Sequence, residues 1–256
     1  SACPTTGSHG DGSFATAFPT GTWQPVPKAP AILYKRGVRD PLMTVQALAS
    51  QIGARDLLVL DARDPTDYLS GHIPGAVNLC PFELEETVTV ADGEQVPHML
   101  TTPESAAYIL GSRGVHHGVR ICVYDEGGGY LAARLWWILD YLGHKQTSLL
   151  DGGFACWEAE TAAVELEANY APLATFYAAP RPPARATFAD VIAYLHNPRV
   201  TLCNALSDEE FCRGTLPSSI PVPYTLTYAN RELPLLKTRH ELHALFQTRG
   251  VAASTH

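Results

Sequence analysis

The chain has 256 residues, 46% of them hydrophobic, enough to bury one large core or two small ones. A formal net charge of −8 without a basic patch argues against a nucleic-acid surface or an anionic membrane surface, and no apolar run reaches transmembrane length. Six scattered cysteines with no C-x-x-C pair suggest neither a zinc site nor a disulfide framework, and read as a reducing compartment.

Residues 1–40 carry five prolines between Pro4 and Pro30, frequent glycines and no apolar period. Such a stretch is expected to be an extended tail, ordered only where it lies along its own domain or another chain, with Phe14, Phe18 and Trp23 as anchors. The first residue is Ser1 rather than Met, which raises the expectation of a processing site with a targeting peptide already removed.

From Thr44 to Ile52, Val45, Leu48, Ala49 and Ile52 share one side of a short helix, and Leu57–Leu60 is a buried strand. The strand ends in DARDPTDYLSGHIPGAVNL, residues 61–79. Asp61 and Arg63, two apart at a strand end, point to one side and pair across loops. Pro74-Gly75 marks a turn, and His72 beside it reads as a hydrogen-bonded structural histidine. Thr102-Pro103-Glu104 starts a helix with a cap and a proline in its first turn; that helix leads through Gly114 to the next strand.

Residues 120–157 organise the chain. Ile121–Tyr124 is a short apolar run that stops at Asp125, Glu126 and a glycine triplet. Leu131, Leu135, Ile138, Leu139 and Leu142 then recur at helical spacing up to Gly143, and Ser148–Leu150 is a second strand closed by Asp151, Gly152 and Gly153. Strand, glycine-rich turn, helix, strand is one βαβ unit of a parallel sheet, whose ligands sit at the C-terminal ends of the strands. A helix N-terminus favours anions, yet the turn opens with two carboxylates, which repel one, and its first position lacks the thiolate that sulfur-transfer and phosphoryl-transfer loops need. Cys122, inside the strand, reads as a buried inert thiol, and the triplet lacks the G-x-G-x-x-G spacing of a dinucleotide loop.

The string from Asp61 to Leu79, continued by VYD, Arg134, Trp136, Gly152-Gly153-Phe154 and Trp157, resembles the rhodanese family, specifically the first repeat of tandem-domain sulfurtransferases. The resemblance implies that Asp61 and Arg63 are structural groups near the strand end. It implies that His72, Pro74 and Gly75 belong to the turn into the next strand, and that Arg134, Trp136, Gly152, Gly153 and Trp157 are structural too. It also implies that Asp125 stands where the second repeat of such proteins carries its catalytic cysteine.

A second repeat follows. TFADVIAYL from Thr187 echoes the helix at Thr44, and residues 201–223 align with 58–80 without a gap. There Asp61 becomes Asn204, Arg63 becomes Leu206 and His72 becomes Thr215, while Gly71 and Pro74 persist as Gly214 and Pro217. TRHELHALFQTRG, residues 238–250, echoes the helix from Thr102, and His256 falls where Arg120 falls in the first repeat. The counterpart of Ile121–Trp157, which the resemblance makes the site of the catalytic cysteine, is therefore not met. Cys203 and Cys212 lie in an earlier strand and helix, and His240 with His243 reads as a solvated helix face rather than a metal pair.

The expected architecture is α/β, a rhodanese-like parallel sheet flanked by helices: a tail over 1–40, an inactive-type domain over 41–168, a linker over 169–184 and a partial degenerate repeat over 185–256. The leading expectation for function is a non-catalytic accessory subunit of a large mitochondrial complex, respiratory chain or ATP synthase. Its contacts to other protein subunits would run through the tail and the second repeat, with no metal, no cofactor, no nucleic acid and no membrane span. The alternative is a thiosulfate or 3-mercaptopyruvate sulfurtransferase, represented by a piece without its catalytic loop. A docking module that binds a partner through the cleft around Asp125–Tyr130 is a third reading.

Overall fold

A computed structural model describes residues 41–90, 92–195, 197–230 and 232–251. The expected tail over 1–40, with its three aromatic anchors, lies outside the described residues.

The first half of the chain is a five-stranded parallel sheet in the order β1-β7-β6-β2-β3. Its strands are β1 (Leu42–Met43), β2 (Leu57–Asp61), β3 (Val77–Asn78), β6 (Arg120–Tyr124) and β7 (Thr147–Leu150). Between them run α1 (Val45–Ala49), α2 (Pro65–Ser70), α3 (Pro103–Ser112) and α4 (Tyr130–Tyr141), and α5 (Gly153–Thr161) follows β7. Alternation along β2 and β6 builds two cores. Leu60, Ile121 and Val123 face α3 and α4 through Leu110, Leu135, Ile138 and Leu139. Val59, Cys122 and Tyr124 face α1 and α5 through Leu48, Phe154 and Trp157. A strand covered on both faces is why ICVY reads as a continuous apolar run rather than an alternating one.

Local signals set the helix ends. The Thr102 hydroxyl accepts from the Ser105 amide at 3.2 Å with Pro103 in the first turn, and the Asp64 carboxylate accepts from Thr66 at 2.9 Å ahead of Pro65. An antiparallel hairpin, β4 (Glu85–Thr89) and β5 (Gln95–Leu100), projects from the sheet, and of its eleven strand residues only Leu100 is fully buried.

In the second half, α6 (Phe188–Tyr194), β8 (Cys203–Asn204), α7 (Asp208–Arg213), β9 (Ile220–Pro221) and α8 (Arg239–Thr248) repeat the order of α1, β2, α2, β3 and α3. β8 pairs in parallel with β9 as β2 pairs with β3. Each of α6, α7 and α8 begins with a full capping box: Thr187 with Asp190, Ser207 with Glu210, Thr238 with Glu241. None of the three helices has a fully buried described residue, so caps rather than packing fix their starts.

The stretch 169–184, read as a linker from its Ala and Pro content, lies against the first half. Ala174 donates to the Gly111 carbonyl at 2.9 Å, Ala179 to Leu142 at 2.9 Å and Arg181 to Tyr141 at 2.8 Å. Phe176 is buried in the α3–α4 core, and a Cβ on Gly111 would come within 2.5 Å of the Ala174 carbonyl oxygen. Glycine at 111 is what lets the strand-like segment approach the helix.

Candidate functional site

The C-terminal ends of β2, β6 and β7 converge on one polar network. Asp61, fully buried at the end of β2, receives Arg63 through Nε at 3.1 Å on each oxygen and through Nη2 at 2.7 Å. The same Nη2 donates to the Gly71 carbonyl at 2.6 Å, and Nη1 to Glu126 at 3.0 Å. The guanidinium lies 4.1 Å above the Phe154 ring, a cation–π contact from α5. Burial works against the charge on Arg63, but the hydrogen bonds and the charge of Asp61 overcome it and hold the guanidinium above its ordinary pKa. Tyr124, the last residue of β6, donates to Asp61 at 2.5 Å and accepts from the Ile73 amide at 3.2 Å. Its burial, with the Asp61 charge beside it, pushes the phenol far above the ordinary range, so it remains a neutral donor.

Asp125 begins the glycine turn and fills it. Its Oδ1 accepts from the Gly127 amide at 3.1 Å and its Oδ2 from the Ala132 amide at 3.0 Å, with Gly129 and Leu131 also donating. These are the free N–H groups at the start of α4, where an anion would otherwise sit. The turn is therefore an anion cradle occupied by its own side chain. Burial raises the Asp125 pKa in spite of these donors, which act in the opposite direction. Gly127, Gly128 and Gly129 all have positive φ, and Gly129 at +49° is the left-handed residue from which α4 starts. Phe154 and Ala155 donate to the carbonyls of Asp125 and Glu126 at 2.8 and 2.9 Å, which ties the turn to α5. A Cβ on Gly153, which has φ +60°, would meet the Asp125 carbonyl oxygen at 2.5 Å.

The other predicted residues lie around this network or away from it. His72, fully buried, stacks on Tyr68 at 3.8 Å and places Nδ1 2.9 Å from the Tyr68 carbonyl. A carbonyl only accepts, so Nδ1 carries the proton and Nε2 accepts from Asn169 at 3.3 Å. Pro74 precedes Gly75, whose amide donates to Glu165 at 2.7 Å. Arg134 pairs with Glu85 at 3.1 Å and lies over Trp137, while Trp136 donates to the Thr147 carbonyl and Trp157 to that of Ala163. Gly152, with φ +77°, precedes Gly153 at the start of α5. Arg134, Trp136 and Trp157 are thus packing and anchoring groups outside the network.

Sequence reasoning did not single out Tyr124, Glu126's pairing with Arg63, or the contribution of the second half. Tyr228 donates to the Gly128 carbonyl, the Leu236 amide donates to Asp151 at 2.9 Å, and Pro234 packs on Gly127. Tyr124 alone left a local signal, a hydroxyl at the end of an otherwise apolar strand. Between the Asp125 turn, β7 and α7 lies a cleft of about 650 Å³. A second cavity, of about 480 Å³, reaches from Arg63 and Glu126 to Tyr224. Among the described residues no group of three His, Cys, Asp or Glu side chains is arranged to hold a metal ion, and no helix is long and apolar enough to cross a membrane.

Of the free cysteines, Cys80, Cys122 and Cys156 are buried and Cys203 is exposed. Burial pushes the Cys122 thiol up to about 12, so it is not a thiolate near neutrality.

Residues 44–160 match the family described as a rhodanese-like domain. Along 80% of its length the chain is 33% identical to the 3-mercaptopyruvate sulfurtransferase of Escherichia coli strain K12, covering 78% of that protein. It is 33% identical over 71% of its length to a probable 3-mercaptopyruvate sulfurtransferase of Pseudomonas aeruginosa, covering 66% of it. A thiosulfate/3-mercaptopyruvate sulfurtransferase of Arabidopsis thaliana that is mitochondrial is 31% identical over 62% of the chain and 45% of that protein. The crystal structure of the Escherichia coli 3-mercaptopyruvate enzyme superposes with a TM-score of 0.73 at 32% identity, covering 82% of this chain and 84% of that one.

These likenesses correct three expectations. The non-catalytic accessory subunit, the pseudoenzyme reading and the place in a respiratory-chain or ATP synthase assembly are overturned, because the relatives matching most of the chain are sulfurtransferases. The conclusion that the chain is not an enzyme fails with them. It rested on no counterpart of the Asp125 turn being met in the second half, which does not stand against sulfurtransferase relatives that match most of the chain. Asp125 excludes a thiolate from the first turn and says nothing of the second.

Proposed function

The chain belongs to the rhodanese sulfurtransferase family, and from that premise we propose that it transfers sulfur, with 3-mercaptopyruvate as donor. The observation that carries this reading is the match to the Escherichia coli enzyme over 80% of the chain, which extends past residue 160 into the second half. Sulfur passes from the donor, released as pyruvate, to a cysteine thiolate as a persulfide, and then to an acceptor thiolate that frees the cysteine. A loop at a helix N-terminus suits this step because its N–H groups stabilise the thiolate and the anionic donor.

The first half has that loop with the cradle already filled by Asp125, so its part is structural. Asp61, Arg63 and Tyr124 hold the strand ends, and the turn offers Gly127 and Gly128 to the second half. Asp125 leaves no place for a reactive thiolate in this turn. A mitochondrial location draws its support from the Arabidopsis relative alone.

The test is persulfide mapping on the protein isolated at its natural length. Treatment with 3-mercaptopyruvate should add one sulfur to a single cysteine with release of pyruvate, and cyanide should then remove that sulfur as thiocyanate. No added sulfur on any cysteine would sink the proposal.

A further inference from the structure

The cleft between the Asp125 turn and α7 has a chemistry of its own. At about 650 Å³ it is large enough for a small organic molecule. Tyr130, Tyr224 and Tyr228 line it, and the rings of Tyr224 and Tyr228 meet edge to face at 87° with centroids 6.4 Å apart, forming an aromatic corner. Tyr130 is 59% exposed and Tyr224 40%, so their ring faces are open to a ligand.

Negative charges outnumber positive ones in the same walls. Asp151 and Glu210 line the cleft together with Asp125. Asp125 is committed to the turn amides, but the other two keep an oxygen with no donor among the described residues. Glu210 uses Oε2 on Ser207 at 3.0 and 2.7 Å, and Asp151 uses Oδ1 on the Leu236 amide. Arg134 is the cation lining the cleft among the described residues, and Glu85 and the His98 carbonyl hold its guanidinium. Aromatic faces beside carboxylates with an oxygen open to a donor attract cations and repel anions.

We propose that this cleft is a binding site for an organic cation with an apolar body, an amine or quaternary ammonium seated against the Tyr224–Tyr228 corner with its charge toward Asp151 and Glu210. The inference goes beyond sulfur transfer, and binding at the site does not depend on turnover.

Three probes of one size and shape test it: benzylammonium, benzyl alcohol and benzoate, titrated against the protein at neutral pH and low salt by calorimetry. Benzylammonium should bind about tenfold more tightly than benzyl alcohol, with benzoate the weakest, as expected for a partly desolvated cation–π and ion-pair site. Glu210→Gln combined with Asp151→Asn should abolish the cation's advantage and leave benzyl alcohol binding unchanged, which also reports that the variant is folded. Benzoate binding as well as benzylammonium, no benzylammonium binding, or a cation preference intact in the variant would each overturn the site. Persulfide mapping reads the sulfurtransferase proposal separately, so either can fail alone.

Discussion

The amide of Ala132 donates to Oδ2 of Asp125 at 3.0 Å, so the first turn of α4 is capped by the residue that opens the loop leading into it. Removing that carboxylate should both weaken the fold and expose a site. Asp125→Ala leaves buried amides without an acceptor, at about 1–3 kcal/mol for such a group, and thermal unfolding should shift down accordingly. Because the freed amides face a common point, sulfate should restore part of the loss in the variant and do much less for the parent protein. Equal sulfate effects on the two would contradict the filled-cradle description.

Arg63 and Asp61 are both almost fully buried, at 3% and 0% side-chain exposure. Removing either partner strands the other, so Arg63→Ala and Asp61→Ala should each cost about 3–5 kcal/mol in urea unfolding. The double variant should lose clearly less than the sum of the two, because the second change removes a charge already stranded. Additive losses would mean that the two residues act through other contacts.

Tyr228 titrates in a useful window. Burial, then the nearby charge of Asp125, pushes its phenol up to about 12. An unfolded tyrosine ionises near 10, so the folded state holds the proton more tightly. The stability this contributes is complete below about pH 10 and is lost as the pH rises through 12. Between pH 9 and 11.5 the parent protein should therefore lose more stability than Tyr228→Phe does. At neutral pH the same variant should cost about 1 kcal/mol for the bond to Gly128.

Thiol labelling should follow burial. Among Cys80, Cys122, Cys156 and Cys203, only Cys203 is exposed, so its peptide should be alkylated first in the native protein. Cys122, fully buried with its thiol pushed up to about 12, should react at the rate of unfolding. Rapid native labelling of Cys122 would show that the β6 core opens far more readily than its packing implies.

How much of this is legible before folding depends on the reach of each contact. Asp61 and Arg63 are two residues apart, so strand geometry alone pairs them, and the gapless alignment of 201–223 with 58–80 survives as β8, α7 and β9 in the order of β2, α2 and β3. The capping residues Thr102 and Asp64 are equally local. The β4–β5 hairpin escapes notice because EETVT is charged and mostly exposed, leaving little apolar alternation to read. Tyr228 on Gly128 and Pro234 on Gly127 link residues about a hundred positions apart, and no periodicity encodes them. Asp125 was readable as a group hostile to anions, but not as the occupant of the cradle, which depends on the left-handed turn at Gly129.

The segment from Ala171 to Arg181 leaves the first half yet donates back to α3, to Leu142 and to Tyr141, buries Phe176 and brings Arg181 onto Asp140 at 2.6 Å. A chain released after Trp157 during synthesis would hold every strand of the main sheet and still lack part of its own covering. Final consolidation of the first half therefore waits on residues that emerge some twenty positions later. Recombination that swaps the halves at the end of α5 would separate a fold from its own strap, so the place where the halves can be exchanged lies beyond Arg181.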